Sequence, residues 1–539
     1  MRVVGWALSL VLIAACGDFT SGADPAANDS HPPGAIDGGG DATEASALAG
    51  GIKVSLVDEG FIVQGSSSAV RIKVERTGSF AGPVNLSFSG LPPNVAVMAG
   101  TAAPSDVEAS VVVTVPASLA QGKLTATLDA TSADGTIAVS QAVSLYVRGK
   151  PGTLDPTFGQ GGAVDIADPA LYVQPTAIGV DAGGRVVVSL ADGHSNVLRL
   201  TPAGLPDGSF GMNGVAHVDD LNRNVAAIAI SDQGRVVVVD AVAPGSRIVR
   251  LTSTGGLDTS FGVMGEMLPA YPGIASHLPR RCALLPDERL LLAEAAGTNW
   301  LVALFDVKGA LEPTFGGSGY VTQSWPPPGA SSPSSEISTL TLEPGGGIFL
   351  AGAAHYGPSG ARADEMALTE LSTTGSLVQG ALGGGTLRVP LSDAARAGTI
   401  PLDARALSDG RFALAGAFAS TVTARRVKSD GTKDSTFGTD GAVDLTPFPG
   451  SNVDGLRFAD DGSFILSAVN AGALVLRKFD AKGGVDVGFA AAGSLTLPAR
   501  GVSFIADVPM VLQGQRVVMA AQYNKAGSGT GAVLFRVWL

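Results

Sequence analysis

The chain has 539 residues, of which 45% are apolar and 15% charged, with 48 Asp and Glu against 35 Lys and Arg for a formal net charge of -13. So apolar a chain is no disordered polyelectrolyte, and the absence of long cationic blocks excludes nucleic acid as a partner, because counterion release needs clustered Lys and Arg. Its 73 glycines and 32 prolines disfavour helices and predict an almost all-β protein of short strands and tight turns.

The first element is residues 1–15, MRVVGWALSLVLIAA, in which one Arg precedes a short apolar run that ends in small residues directly before Cys16. The run is too short to span a bilayer comfortably, and it reads as a secretory signal. Ile13-Ala14-Ala15-Cys16 resembles the lipobox of bacterial lipoproteins, which implies cleavage before Cys16 and acylation of its sulfur. By the same resemblance, Gly17 in place of an Asp retention signal implies the outer membrane of a Gram-negative cell, with the membrane as a partner through the lipid anchor. Only Cys282 then remains, inside the apolar run CALLP, where it reads as a small buried hydrophobe. Residues 16–50 are Gly, Ala, Asp, Ser and Pro with almost no large apolar side chain, so they form a disordered tether, and His31 within it belongs to no site.

Residues 51–148 alternate apolar and polar positions in runs such as AVRIKVE, PVNLSFS and EASVVVTV, which predicts an antiparallel β-sandwich with one face of each strand inward. The stretch RTGSFAGPVNLSFSGLPPNVAV, residues 76–97, resembles the immunoglobulin-like modules of bacterial surface proteins and implies a spacer or adhesion-type role.

Residues 152–539 are a repeat. Glycine pairs ten residues apart stand at 152/162, 204/214, 255/265, 309/319, 375/385, 431/441 and 483/493. Between them lie Phe158, Phe210, Phe261, Phe315, Ala381, Phe437 and Phe489, and three residues earlier Asp155, Asp207, Asp258, Glu312, Val378, Asp434 and Asp486. Each copy is read as starting at its second glycine, with a short first strand, an apolar run, a very apolar strand such as GRVVVSL, and a closing strand such as VLRLTPAG. Strands apolar at every position need cover on both faces, so each small sheet is expected between two others. Seven units spaced 51 to 66 residues apart predict a seven-bladed β-propeller. The segment GTLDPTFGQGGAV and its copies resemble the delta-sixty repeat of bacterial surface and secreted proteins, and that family implies a tandem β-rich array with no common activity. The glycines suit positive φ or close backbone approach, the Phe an apolar plug at the seam, and the Asp an acceptor for N–H groups of the following turn. One acid per copy supplies too few oxygens for a ring of calcium sites, so no metal is assigned.

No H-E-x-x-H, G-x-S-x-G, P-loop or C-x-x-C occurs, and no cofactor is implied. Seven residues after each Phe position stand Asp165, His217, Leu268, Thr322, Arg388, Asp444 and Thr496. If the first strand lines the central channel, Asp165, His217, Arg388 and Asp444 form a polar vestibule for ligand binding or acid–base work, and otherwise they are the solvent side of an ordinary strand. The fourth repeat carries two long loops, SWPPPGASSPSSE and HYGPSGARADE, whose Trp325, His355, Tyr356 and Arg362 are candidates for a partner contact, the alternative being two tolerated insertions. These features together predict a non-catalytic envelope platform for an envelope protein or polysaccharide. A hydrolase or lyase acting in the channel and a purely structural matrix protein are the rival readings.

Overall fold

The computed structural model describes residues 50–539 except 58–59, 167–172, 192–193, 220–224, 344–345, 359–362, 379–384, 392–398, 419–420, 446–451, 506–507 and 528. The signal, the tether with Cys16, and Arg362 and Ala381 lie outside them. Every regular element among the described residues is a β-strand, and no helix is long and apolar enough to cross a membrane. The chain divides between Lys150 and Pro151 into two compact units.

In the smaller unit a four-stranded and a five-stranded sheet enclose one core. The strand Ser67–Thr77 shows the cause, since Val70, Ile72 and Val74 are buried while the intervening Arg71, Lys73 and Glu75 stay in solvent or half exposed. Alternation of this kind commits one face inward.

Among the described residues the larger unit is built from seven small antiparallel sheets. Their inner strands are Gln174–Val180, Val225–Ile230, Leu278–Leu284, Ser334–Leu342, Thr399–Ala406, Asn452–Phe458 and Met510–Gln513, which number the sheets one to seven. Inner strands touch in cyclic order, each against the next and the seventh against the first, so the sheets close a ring. The second strands sit between neighbours, as their composition predicts. Val186–Ala191 is buried at every position, with Val186 and Val188 packed towards sheet seven and Val187 towards sheet two.

One expectation is corrected. The short strand after each second glycine is not the first of its sheet but the outer edge of the preceding one: Val215–Asp219 pairs with Ser195–Leu200, and Leu387–Pro390 with Ala363–Leu371. Ala163–Ile166 accordingly completes sheet seven by pairing with Thr530–Trp538, so the first strand of the repeat region closes the ring against the last. Each motif is thus the loop between the third and outer strands, and a repeat in sequence is offset by one strand from a sheet in space.

The motif residues act at the seams. All the paired glycines have positive φ, and a Cβ on Gly204 would stand 2.6 Å from the Gly159 nitrogen of the neighbouring motif. The residue after each Phe donates its N–H to the carbonyl just before the next repeat's first glycine: Gly159 to Ala203, Gly211 to Thr254, Gly262 to Lys308, Gly316 to Thr374, Gly438 to Lys482 and Ala490 to Pro151. Phe158, Phe210, Phe261, Phe315, Phe437 and Phe489 are all buried between sheets. The Asp accepts from the residue two ahead, Ser209 N to Asp207 Oδ1 at 3.0 Å for example. It also meets an Arg of the third strand that the sequence reading passed over. Arg199 binds Asp207 at 2.8 Å, lies 4.3 Å over the Phe210 ring and donates to Ser253 O of the next sheet at 2.8 Å. Arg250, Arg426 and Arg536 repeat this clamp.

Candidate functional site

Because the strand after each motif is an outer edge, Asp165, His217, Arg388 and Asp444 do not line a channel. They lie on the outer strands of sheets seven, one, four and five. Asp165 meets Arg500 at 3.1 Å, His217 Nδ1 meets Asn196 Oδ1 at 3.0 Å, and Asp444 is exposed. The vestibule expected from that column is absent, and the reason is the phase of the repeat.

The fourth-repeat candidates divide. Trp325 is no surface contact, being wholly buried 6.1 Å from Trp300 in the core between sheets three and four, with Nε1 donating to Thr369 Oγ1 at 2.8 Å. Tyr356 and Arg388 do meet, through a residue not singled out before: the Tyr356 hydroxyl donates to Glu365 Oε2 at 2.8 Å, and Arg388 Nε lies 3.7 Å from the same oxygen. Burial and Glu365 hold the Tyr356 phenol above its ordinary range.

His355 is buried and committed on both nitrogens, Nδ1 to Asp364 Oδ1 at 2.6 Å and Nε2 to Glu336 Oε2 at 3.3 Å. The line Glu336, His355, Asp364 runs across three adjacent strands of sheet four on one face, as the register requires. Burial disfavours the imidazolium, but the two carboxylates outweigh it and raise the His355 pKa. Burial likewise pushes Glu336 up, and His355 with Arg280 and Arg281 pulls it below its usual value. An imidazole held at both ends is an ion-pair clamp and has no free nitrogen for a substrate proton.

A second cluster was not read from the sequence. The inner strands of sheets one and two carry QPTAIGV and VAAIAI, whereas those of sheets three to six carry LPRRCAL, SSEISTLTL, TIPLDARA and NVDGLRF. Six inner strands have a β-bulge near the start, which rotates the residues around it. The residues just after the bulge are Ala177 and Ala227 in sheets one and two, but Arg281, Thr339 and Asp403 in sheets three to five. Asp403 accepts from Phe458 N at 2.9 Å and makes a long 3.5 Å contact with Thr339 Oγ1, while Arg457 Nε reaches Met510 O at 3.2 Å. Polar contacts therefore link the inner strands of sheets four to seven. Burial raises the Asp403 carboxyl pKa against the opposing pull of Arg457 and Arg405. The available signal was charge appearing in strands whose counterparts in other repeats are Ala and Ile.

Among the described residues no group of three or more His, Cys, Asp or Glu is arranged to hold a metal ion. No protein family matches the chain, and no curated protein is similar to it. Solved structures similar to it include a protein from Lactobacillus plantarum, 13% identical with a TM-score of 0.37, the match covering 70% of this chain and 100% of that one. Another is a glycoside hydrolase, 10% identical with a TM-score of 0.26, covering 72% of this chain and 92% of that one. Similarity this slight carries no argument about activity.

Proposed function

We propose that the chain is a non-catalytic cell-envelope lipoprotein in which an acylated Cys16 and a tether hold an immunoglobulin-like sandwich and a seven-bladed β-propeller of the delta-sixty type at the outer membrane. The propeller serves as a platform for an envelope protein or polysaccharide. One observation carries this reading: the residues copied in the repeats are spent on seams, while the side chains that vary between sheets gather on the inner strands of sheets three to six. The dispersal of Asp165, His217, Arg388 and Asp444 and the double commitment of His355 also count against acid–base chemistry.

Labelling cells with an alkyne fatty acid tests the anchor, since the label is lost in Cys16→Ala. Saturable binding of the chain to purified envelope polysaccharides or proteins, abolished in Arg280→Ala or Arg457→Ala and intact in Asp165→Asn, supports the platform. Turnover of any glycoside or ester offered overturns it.

A further inference from the structure

Successive motif loops bond to one another, so they share one end of the ring, and two neighbours differ from the rest in what they show to solvent. Leu205 and Met212 in the loop of sheet one, and Val263 and Met264 in the loop of sheet two, are 60 to 82% exposed. Met212, Val263 and Met264 stand two or three residues after the motif Phe. The other described copies carry Gln160 and Gly161, Gly317 and Ser318, Thr439 and Asp440, and Ala491 and Ala492 there. In sheet five the loop holds an exposed ion pair, Lys433 with Asp440 at 2.6 Å, whose counterparts in sheet two are Leu257 and Met264. Met264 is also kept at φ 58°, a left-handed conformation that suits Gly, Asn or Asp, and Asn213 and Asp440 fill the same position at 53° and 52°.

The two loops adjoin. Gly211 N, beside Met212, donates to Thr254 O at 2.8 Å, and a Cβ on Gly255 would stand 2.7 Å from that nitrogen. Gly262 N, beside Val263, donates to Lys308 O at 2.8 Å, so the exposed Val307 continues the row. Neither 201–214 nor 252–265 contains Lys or Arg, and their only acids, Asp207 and Asp258, are buried. The tips also close their own backbone bonds, Met212 N to Val215 O and Val263 N to Glu266 O at 2.8 Å each. Such tips leave water without stripping a charge or breaking these amide bonds.

We propose that these two loops dip into a lipid bilayer at its headgroup boundary, with Leu205, Met212, Val263 and Met264 entering the apolar side. The four side chains project from separate tips, so a protein partner would need a matched pocket for each, whereas a fluid bilayer fits any shape. The inference rests on the acylated Cys16 of the reading above, whose tether, residues 17–50, reaches roughly 30 Å as a flexible coil and so keeps a lipid surface close to the ring. A flexible anchor alone leaves the ring free to tumble, and the apolar tips select the end that faces the membrane.

The test is co-sedimentation of the chain from Gly17 to Leu539 with vesicles of zwitterionic phosphatidylcholine. This chain carries no acyl group, so failure of the Cys16 anchor, seen by fatty-acid labelling, and failure of the loops are read separately. Saturable binding that persists in high salt is expected, because the tips carry no charge. Met212→Asp and Met264→Asp should each lower the partition coefficient about tenfold, with tryptophan fluorescence unchanged because both side chains lie in solvent. Val502→Asp should bind like the native chain. Val502 is equally exposed but sits at the other end of the ring, bonded to Asn524 O, whereas Arg516 at the opposite end of the same strand meets the motif Asp155. No sedimentation, loss of binding in high salt, or undiminished binding by both Met variants overturns the proposal. A dimer of the native chain that Met212→Asp dissolves in the absence of lipid assigns the tips to a second copy and overturns it as well.

Discussion

Replacing Glu370, which lies on the third strand of sheet four, Ala363–Leu371, and is 8% exposed, by Gln should stabilise the ring above neutral pH and leave it unchanged below about pH 4.5. In the native chain the carboxyl ionises at about 7 instead of its ordinary 4.5, so the folded state prefers the proton more than the unfolded state does. The linkage then has a fixed sign: stability is full below about 4.5, falls as pH rises through 7, and stays lower above that. At about 1.4 kcal/mol per pH unit the ceiling of the loss is about 3 kcal/mol. Solvent near the turn screens the charge, so about 1–2 kcal/mol is the expected gain in Glu370→Gln at pH 8. Three of the four tryptophans, Trp300, Trp325 and Trp538, lie in the ring, and the fourth, Trp6, is absent from a chain beginning at Gly17. Urea unfolding followed by tryptophan fluorescence therefore reports the ring without the smaller unit. Curves for Glu370→Gln and native chain that nearly coincide at pH 4 and separate by pH 8 support the reasoning, and curves equally spaced at both pH values refute it.

Other outcomes follow from the seams. Arg199→Ala leaves Asp207 buried without its cation and should cost about 3–5 kcal/mol in the same urea assay, where a loss below about 0.5 kcal/mol would show the clamp to be idle. Gly204→Ala and Gly317→Ala separate backbone strain from collision, since both glycines have positive φ but only at Gly204 does a Cβ meet backbone, while at Gly317 nothing lies within 4 Å. Gly317→Ala should cost about 1 kcal/mol and Gly204→Ala distinctly more, measured as urea midpoints. The His355 imidazole, watched by NMR, should titrate above 6.5, because Glu336 and Asp364 outweigh burial. Its contribution to stability is present below 6.5 and lost as pH rises through the higher folded-state value, and a midpoint below 6.5 would contradict the ion-pair clamp.

Much of this architecture could be read from local chemistry. Val186–Ala191 announces cover on both faces because all six of its residues are apolar or small, and the hydrogen bonds of Asp207 follow from the reach of a short carboxylate to the N–H two residues on. The phase of the repeat could not be read the same way. A periodic pattern fixes the length of a unit but not where a sheet begins, and choosing Gly162 as the start moved Asp165 from an outer edge to an imagined channel. Trp325 misled for another reason: SWPPPGASSPSSE is polar enough to suggest an exposed loop, yet one indole with a Thr369 partner suffices to fold its start into the core. The Arg of LRL, VRL, ARR and FRV recurs in four copies, fewer than the Phe, and its role is visible only once Asp207 and Ser253 stand beside it.

The pairing of Ala163–Ile166 with Thr530–Trp538 also sets an order of events during synthesis. The edge strand emerges from the ribosome long before its partner, and no intermediate length of nascent chain can supply that partner. Domains made early normally fold early. Here the latch waits for Thr530–Trp538, so a chain cut short near Thr530 leaves the wheel open at sheet seven, however well the other sheets have formed.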